Sequence, residues 1–224
     1  MNATRLKVIG IVSMTIDHIG YFLFPQMTVL RIIGRLAYPI FAYMIAEGCG
    51  YTRNKVRYLC TVLAIAGVCS AVTYFAERSR YQSIFTTFSC AMLLIFALDA
   101  ATKTAERARK IFCSVCAVVL VFLYFAVFQL RMIPGVETDY GFLGIITPVL
   151  VWLGRSKAEK LAGLTIGLCL LSVEIGMVQF FSLAAVILLY FYNGERGNHS
   201  LKWGFYAYYP FHVAVLYGVS QMIR

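Results

Sequence analysis

A chain of 224 residues that is 61% hydrophobic and 13% charged, with mean hydropathy +0.77, is not a water-soluble domain, which would carry about a quarter charged residues. A net charge of +10 would suggest nucleic acid in a soluble protein. Here most lysines and arginines fall between long apolar runs, so the expected partner is the lipid bilayer and not nucleic acid.

The runs predict an all-α fold, a polytopic membrane bundle of about nine (8–10) transmembrane helices forming one integral domain over 1–224. The spans fall at about 6–24, 31–50, 57–76, 83–101, 111–130, 141–154, 161–177, 178–193 and 204–222, the sixth and eighth being short. With the N-terminus cytoplasmic, the inner side holds 14 of the 20 basic residues, and the outer side only Arg78, Arg80, Arg131 and Arg224. Arg31 and Arg35 lie within the second span. That asymmetry predicts the N-terminus inside and the C-terminus outside.

The first run, LKVIGIVSMTIDHIGYFLF, carries Asp17 and His18 side by side. An aspartate at the centre of a span costs ~2.5–3.5 kcal/mol of insertion free energy, a cost usually tolerated where the group lines a cavity or does chemistry. At 1.5 Å per residue His18 lies ~18 Å above the inner end, Arg35 at a similar level and Arg31 one turn further out. Arg31 and Arg35 share one helical face and repel unless an anion or carboxylate lies between them; Asp17 is the nearest in sequence. Arg31 alone has a bland reading, snorkelling to the outer headgroups. Pro39 predicts a kink in the second span. Glu47, at the inner end of that span, is either an interfacial ion-pair partner or a substrate-side residue. The cluster TRNKVR, with Arg53, Lys55 and Arg57, is either an inside anchor or a holder of a polyanionic cofactor.

The third to fifth spans say little. Cys113 and Cys116 form C-x-x-C without a matching Cys or His pair, so all seven cysteines read as small apolar residues and no metal is expected. The N-terminus lacks a small-residue cleavage site and reads as a retained span. The outer loop RMIPGVETDY places Asp139 and Tyr140 at the mouth of the sixth span, as solvated loop or as substrate-side residues, and Pro148 permits a second kink. Glu174 and Gln179 face the same outer side and are weaker candidates. On the inside, Asn193, Arg196 and Lys202 offer donors suited to phosphate. Tyr208, Tyr209 and His212 follow in the last span around Pro210, with His212 ~12 Å above the inner end. Two histidines at neighbouring depths, one beside an aspartate, point to a site.

The blocks MTIDHIGYFLFP (14–25), LRIIGRLAYPIFAYMIAEGCGYTRN (30–54), DYGFLGIITP (139–148) and YNGERGN…YAYYPFHVAVLY (192–217) resemble the TraX family, bacterial proteins named for the acetylase of F-type pilin. The resemblance runs nearly end to end and extends to the wider transmembrane acyltransferases. It implies an enzyme of the bacterial inner membrane, with acetyl-CoA as donor and an extracytoplasmic acceptor, either a pilin N-terminal amine or an envelope glycan. In those relatives a histidine of an early span is the base, and His18 matches it. Ser83 stands where the family pattern has Asn, so that position's role is not carried over.

The expected chemistry is acetyl transfer. His18 acts as base, Asp17 orients or balances it, and Arg35 with Tyr209 stabilises the developing oxyanion, with His212 nearby. Asp17 and His18 point ~100° apart on one helix, so Asp17 has Arg31 or Arg35 as partner and His18 needs another. Direct transfer and an acyl-histidine route both stay open. The rivals are an ion-coupled transporter, disfavoured by the absence of self-similar halves, and a non-catalytic envelope-assembly protein.

Overall fold

Asn2 starts the chain's first helix: its Oδ1 accepts the Arg5 amide at 3.1 Å, and α1 then runs Ala3–Phe22 until shortly before Pro25. The structure is a computed structural model. It describes residues 1–77, 79–195, 197 and 202–223, with the side chains of residues 76, 77, 202, 203 and 206 set aside. The second apolar run forms two helices, α2 (Thr28–Gly34) and α3 (Ala37–Tyr51). Proline explains the break. Pro39 has no N–H for the Arg35 carbonyl and its ring crowds that group, so the chain turns at Arg35 and Leu36, one turn ahead of the proline.

The remaining helices are α4 (Lys55–Glu77), α5 (Ile84–Lys103), α6 (Arg107–Tyr124), α7 (Gly141–Leu153) and α8 (Lys157–Ile175), then α9 (Ala184–Tyr190) and α10 (Lys202–Ile223). A π-helical turn, Phe125–Gln129, extends α6, and a 3₁₀ stretch, Met177–Leu183, leads into α9. Pro148 and Pro210 lie inside α7 and α10. Every expected run is therefore helical, and among the described residues the one β-type pairing is an isolated bridge between Gln82 and Thr138.

Among the described residues, four stretches are long and apolar enough to cross a membrane: Thr28–Tyr51, Lys55–Phe75, Ile84–Lys103 and Arg107–Gln129. Gly141–Leu153 and Met177–Tyr190 are apolar but shorter. The first helix falls outside the four because it carries Arg5, Lys7 and Asp17. α6 leaves Phe112 68% and Phe122 70% exposed, with Val115, Val118 and Val119 also bare. An apolar face of that extent is stable against lipid chains and costly against water.

By contacts, the chain groups into two compact units, Met1–Met44 with Leu161–Arg224, and Ile45–Lys160. In the first, α1 packs on α2 and α10, and α2 on the 3₁₀ stretch, around Leu6, Ile40, Leu164, Leu168 and Leu189. In the second, α5 is central, with α4, α6 and α7 against it around Val62, Met92, Ile95 and Ile145.

Candidate active site

Helix α1 works with two faces. Thr15, His18 and Phe22, spaced by three and four, meet α10, while Asp17 and Gly20 meet α2. The pairs Thr15 with Tyr208, His18 with His212 and Phe22 with Tyr217 rise together in number, so α1 and α10 run parallel. The start of α1 is tied to the chain just after α9: the Met1 ammonium donates to the Phe191 carbonyl at 2.7 Å, and the Asn193 backbone amide donates to the Met1 carbonyl at 3.0 Å.

On the α10 face the hydrogen bonds assign the protons. His212 Nδ1 lies 2.8 Å from the Tyr208 carbonyl oxygen, which only accepts, so Nδ1 carries hydrogen. With both rings neutral, His212 Nε2 is then an acceptor. His18 Nδ1, 2.7 Å away, must donate to it. The lone pair of His18 is thereby placed on Nε2, the nitrogen of a base, and the residue is half-buried and keeps part of its surface accessible.

The same logic fixes Tyr208. Thr15 Oγ1 donates to the Ile11 carbonyl at 2.8 Å, so the Tyr208 hydroxyl, also 2.8 Å away, is the donor to Thr15. Tyr208 stacks on His212 at 4.8 Å between centroids, and Tyr209 stands edge-on to both His18 (5.9 Å) and His212 (5.5 Å). Both imidazoles are thus held by rings and by a backbone carbonyl.

On the α2 face Asp17 is gripped by two arginines. Arg31 donates to Oδ2 at 2.7 Å and to the Asp17 carbonyl at 3.2 Å; Arg35 donates to Oδ1 at 3.0 Å. Arg35 also donates to the Arg31 carbonyl and, through its other terminal nitrogen, to Gln179 Oε1 at 3.2 Å. Arg31 further lies over the Tyr21 ring at 5.3 Å. Two guanidiniums against one carboxylate leave the cluster with an excess positive charge. Gly34 makes the grip reachable, because a Cβ there would lie 2.2 Å from Asp17 Cβ and Oδ1, and one at Gly20 would lie 2.8 Å from Leu30 Cβ. The helices approach this closely only without those side chains.

In the second unit Lys55 is paired with Asp99, which Lys103 also contacts at 2.9 Å, while Arg53 and Arg57 are exposed. Glu47 is paired with Lys160. Asp139 accepts the Tyr81 hydroxyl at 2.7 Å, and its carbonyl accepts Thr87 Oγ1 at 2.8 Å. Burial, and the Asp139 carboxylate beside it, raise the Tyr81 phenol above its ordinary value, so it remains a donor. Tyr140 precedes α7 in the left-handed conformation, φ 64°. In the first unit the Asn193 side-chain amide donates to Glu195 Oε2 at 2.8 Å. Arg196 and the Lys202 side chain lie outside the described residues. Among the described residues no group of three or more His, Cys, Asp or Glu gathers as a metal site would require.

Sequence reasoning gave Thr15 and Tyr208 no role and Gln179 only a weak one. Gln179 is 1% exposed with Nε2 unpaired, and Ser182, three residues on, is fully buried with an unpaired hydroxyl. Their signal was two polar residues inside the apolar stretch MVQFFSL.

Comparison with known proteins adds three findings. The sequence model of the family described as TraX protein matches residues 2–220. The chain is 25% identical to the probable fimbrial assembly protein FimC, serogroup H1, of Dichelobacter nodosus, over 100% of this chain and 97% of that protein. It is 53% identical to an uncharacterized protein of Rickettsia prowazekii (strain Madrid E) over 54 residues, 24% of this chain and 21% of that one. No solved structure matches.

Proposed function

Because this chain belongs to the TraX family, we propose that it is a multi-pass acetyltransferase of the bacterial inner membrane, moving an acetyl group from cytoplasmic acetyl-CoA to an acceptor outside. The acceptor class is a pilin N-terminal amine or an envelope glycan. Similarity to a protein named for fimbrial assembly favours the pilin side. The parallel packing of α1 and α10 supports an odd number of crossings in all, hence termini on opposite sides, and the basic residues favour the N-terminus inside.

One observation carries the chemistry: the chain Tyr208 carbonyl, His212, His18 leaves Nε2 of His18 bare. That nitrogen takes the proton of the acceptor's hydroxyl or amine as it attacks the thioester carbonyl. The new C–O or C–N bond forms, the C–S bond breaks, and the imidazolium returns its proton to the departing thiolate. His212 shares the positive charge through the 2.7 Å hydrogen bond while His18 is protonated. The excess charge of the Asp17, Arg31 and Arg35 cluster, with Tyr209, favours the negative charge developing on the carbonyl oxygen. Arg53 and Arg57, exposed and without ion pairs among the described residues, draw the polyanionic donor to the inner surface. Lys55, beside them, is paired with Asp99.

The test compares envelope proteins and glycans by mass spectrometry from cells lacking the gene, cells with it restored, and cells carrying His18→Ala. The proposal requires an acetyl mark present only with the intact gene. Identical acetylation in all three strains sinks it. Proton-coupled solute flux in its place would favour the carrier reading, since a histidine pair also relays protons.

A further inference from the structure

The second unit holds a cavity of about 150 Å³ where the end of α3, the end of α7 and the start of α8 meet. Glu47, Gly50, Tyr51, Trp152, Arg155 and Lys160 line it. None of the chemistry above uses it. Glu47 is buried and holds the Lys160 ammonium, which has three hydrogens and spends one there. The Arg155 guanidinium makes no hydrogen bond or ion pair among the described residues. Its own backbone amide is taken by Glu159 at 2.8 Å, which fixes the chain at its base. Gly154 lets the start of α8 come close against the end of α7, because a Cβ there would lie 2.5 Å from the Lys160 backbone nitrogen.

The lining therefore carries one negative and two positive charges, with spare N–H donors on both cations and two aromatic rings beside them. A lone metal cation is repelled by that balance. A carboxylate is small for the space and has no use for the rings. A phosphate ester uses all of it: the phosphate oxygens take the Arg155 and Lys160 donors, and the organic part lies against Tyr51 and Trp152. We propose that this cavity is a phosphate-ester site, with Glu47 holding Lys160 in place to serve it. Two sources bring that chemistry to the inner side of a membrane, the nucleotide end of the acyl donor and an anionic phospholipid headgroup. The first rests on the acetyltransferase reading; the second does not.

The chain has two tryptophans, so Trp203→Phe leaves Trp152 as a fluorescent reporter inside the cavity. In phosphate-free detergent, adenosine 3′,5′-bisphosphate or short-chain phosphatidylglycerol is titrated into that protein. We expect a saturable change with at least one of the two, and whichever acts identifies the source. Arg155→Ala should weaken it by about tenfold or more, the loss of one charge-assisted contact. Gly50 supplies the control for folding, because a Cβ there meets nothing within 4 Å. Gly50→Ala should retain binding and Gly50→Leu, which fills the space, should abolish it. No change with either probe, or a change indifferent to both Arg155→Ala and Gly50→Leu, overturns the site. His18→Ala should leave the binding intact, so failure of the transferase reading and failure of this one are told apart.

Discussion

Replacing His212 by alanine removes the acceptor that holds the proton of His18 on Nδ1. Among the described residues the 2.7 Å bond between the rings is the hydrogen bond that distinguishes the two nitrogens of His18, since its neighbours Phe22 and Tyr209 meet it through ring faces and edges. Leaving a half-buried N–H without a partner costs ~1–3 kcal/mol. The ratio of the tautomer with a bare Nε2 to the other falls accordingly, by a factor of about 5–150. Turnover of acetyl-CoA by purified protein in detergent should therefore fall several-fold in kcat, by at most that factor, with KM for the donor little changed. His212→Gln carries a carbonyl oxygen close to where Nε2 was, and should recover much of the loss. Activity of His212→Ala within about twofold of wild type, or a glutamine variant as poor as alanine, would refute the relay, because neither outcome is compatible with a hydrogen bond that sets the tautomer.

Two further outcomes follow from the other face of α1. Gly34→Ala puts a methyl 2.2 Å from Asp17, about 1.3 Å inside ordinary contact, and should destabilise the protein by ~1–3 kcal/mol with a lower melting midpoint in detergent; an unchanged midpoint would mean the α1–α2 approach is looser than the geometry has it. Asp17→Ala leaves two guanidiniums facing each other and should cost ~3–5 kcal/mol, whereas Arg31→Ala leaves Asp17 paired with Arg35 and should cost about 1 kcal/mol. The reverse order in the two melting midpoints would show that the carboxylate is not what holds the arginines.

The helices were readable because apolar runs of membrane length announce themselves, and so were the residues a span does not carry without reason: Asp17, His18, Arg35 and His212. Depth arithmetic put His18 and His212 close in height, and the 100° step between neighbours separated Asp17 from His18 before any contact was known. The pairing itself was not readable. Nine spans already imply that the first and last run parallel, but nothing in the chain's order says that α10 packs against α1, so Thr15 and Tyr208, ordinary residues in apolar surroundings, gained meaning only from the crossing. Gln179 and Ser182 were hidden in the same way, because their place beside α2 depends on a 3₁₀ stretch that no period marks. Lys55 reads as a phosphate donor by composition, and its pairing with Asp99, 44 residues away, was not readable. Glu47 and Lys160 are 113 residues apart, and the cavity they share exists only once the ends of α3, α7 and the start of α8 meet.

The account turns on the bare nitrogen of His18. Hydrolysis or transfer of the thioester of acetyl-CoA, followed as free thiol released by purified protein in detergent, measures it directly when wild type is set beside His18→Ala. The account predicts turnover by the wild type and release at the background rate by the variant, both proteins eluting as the same folded species. Equal release by the two would contradict it.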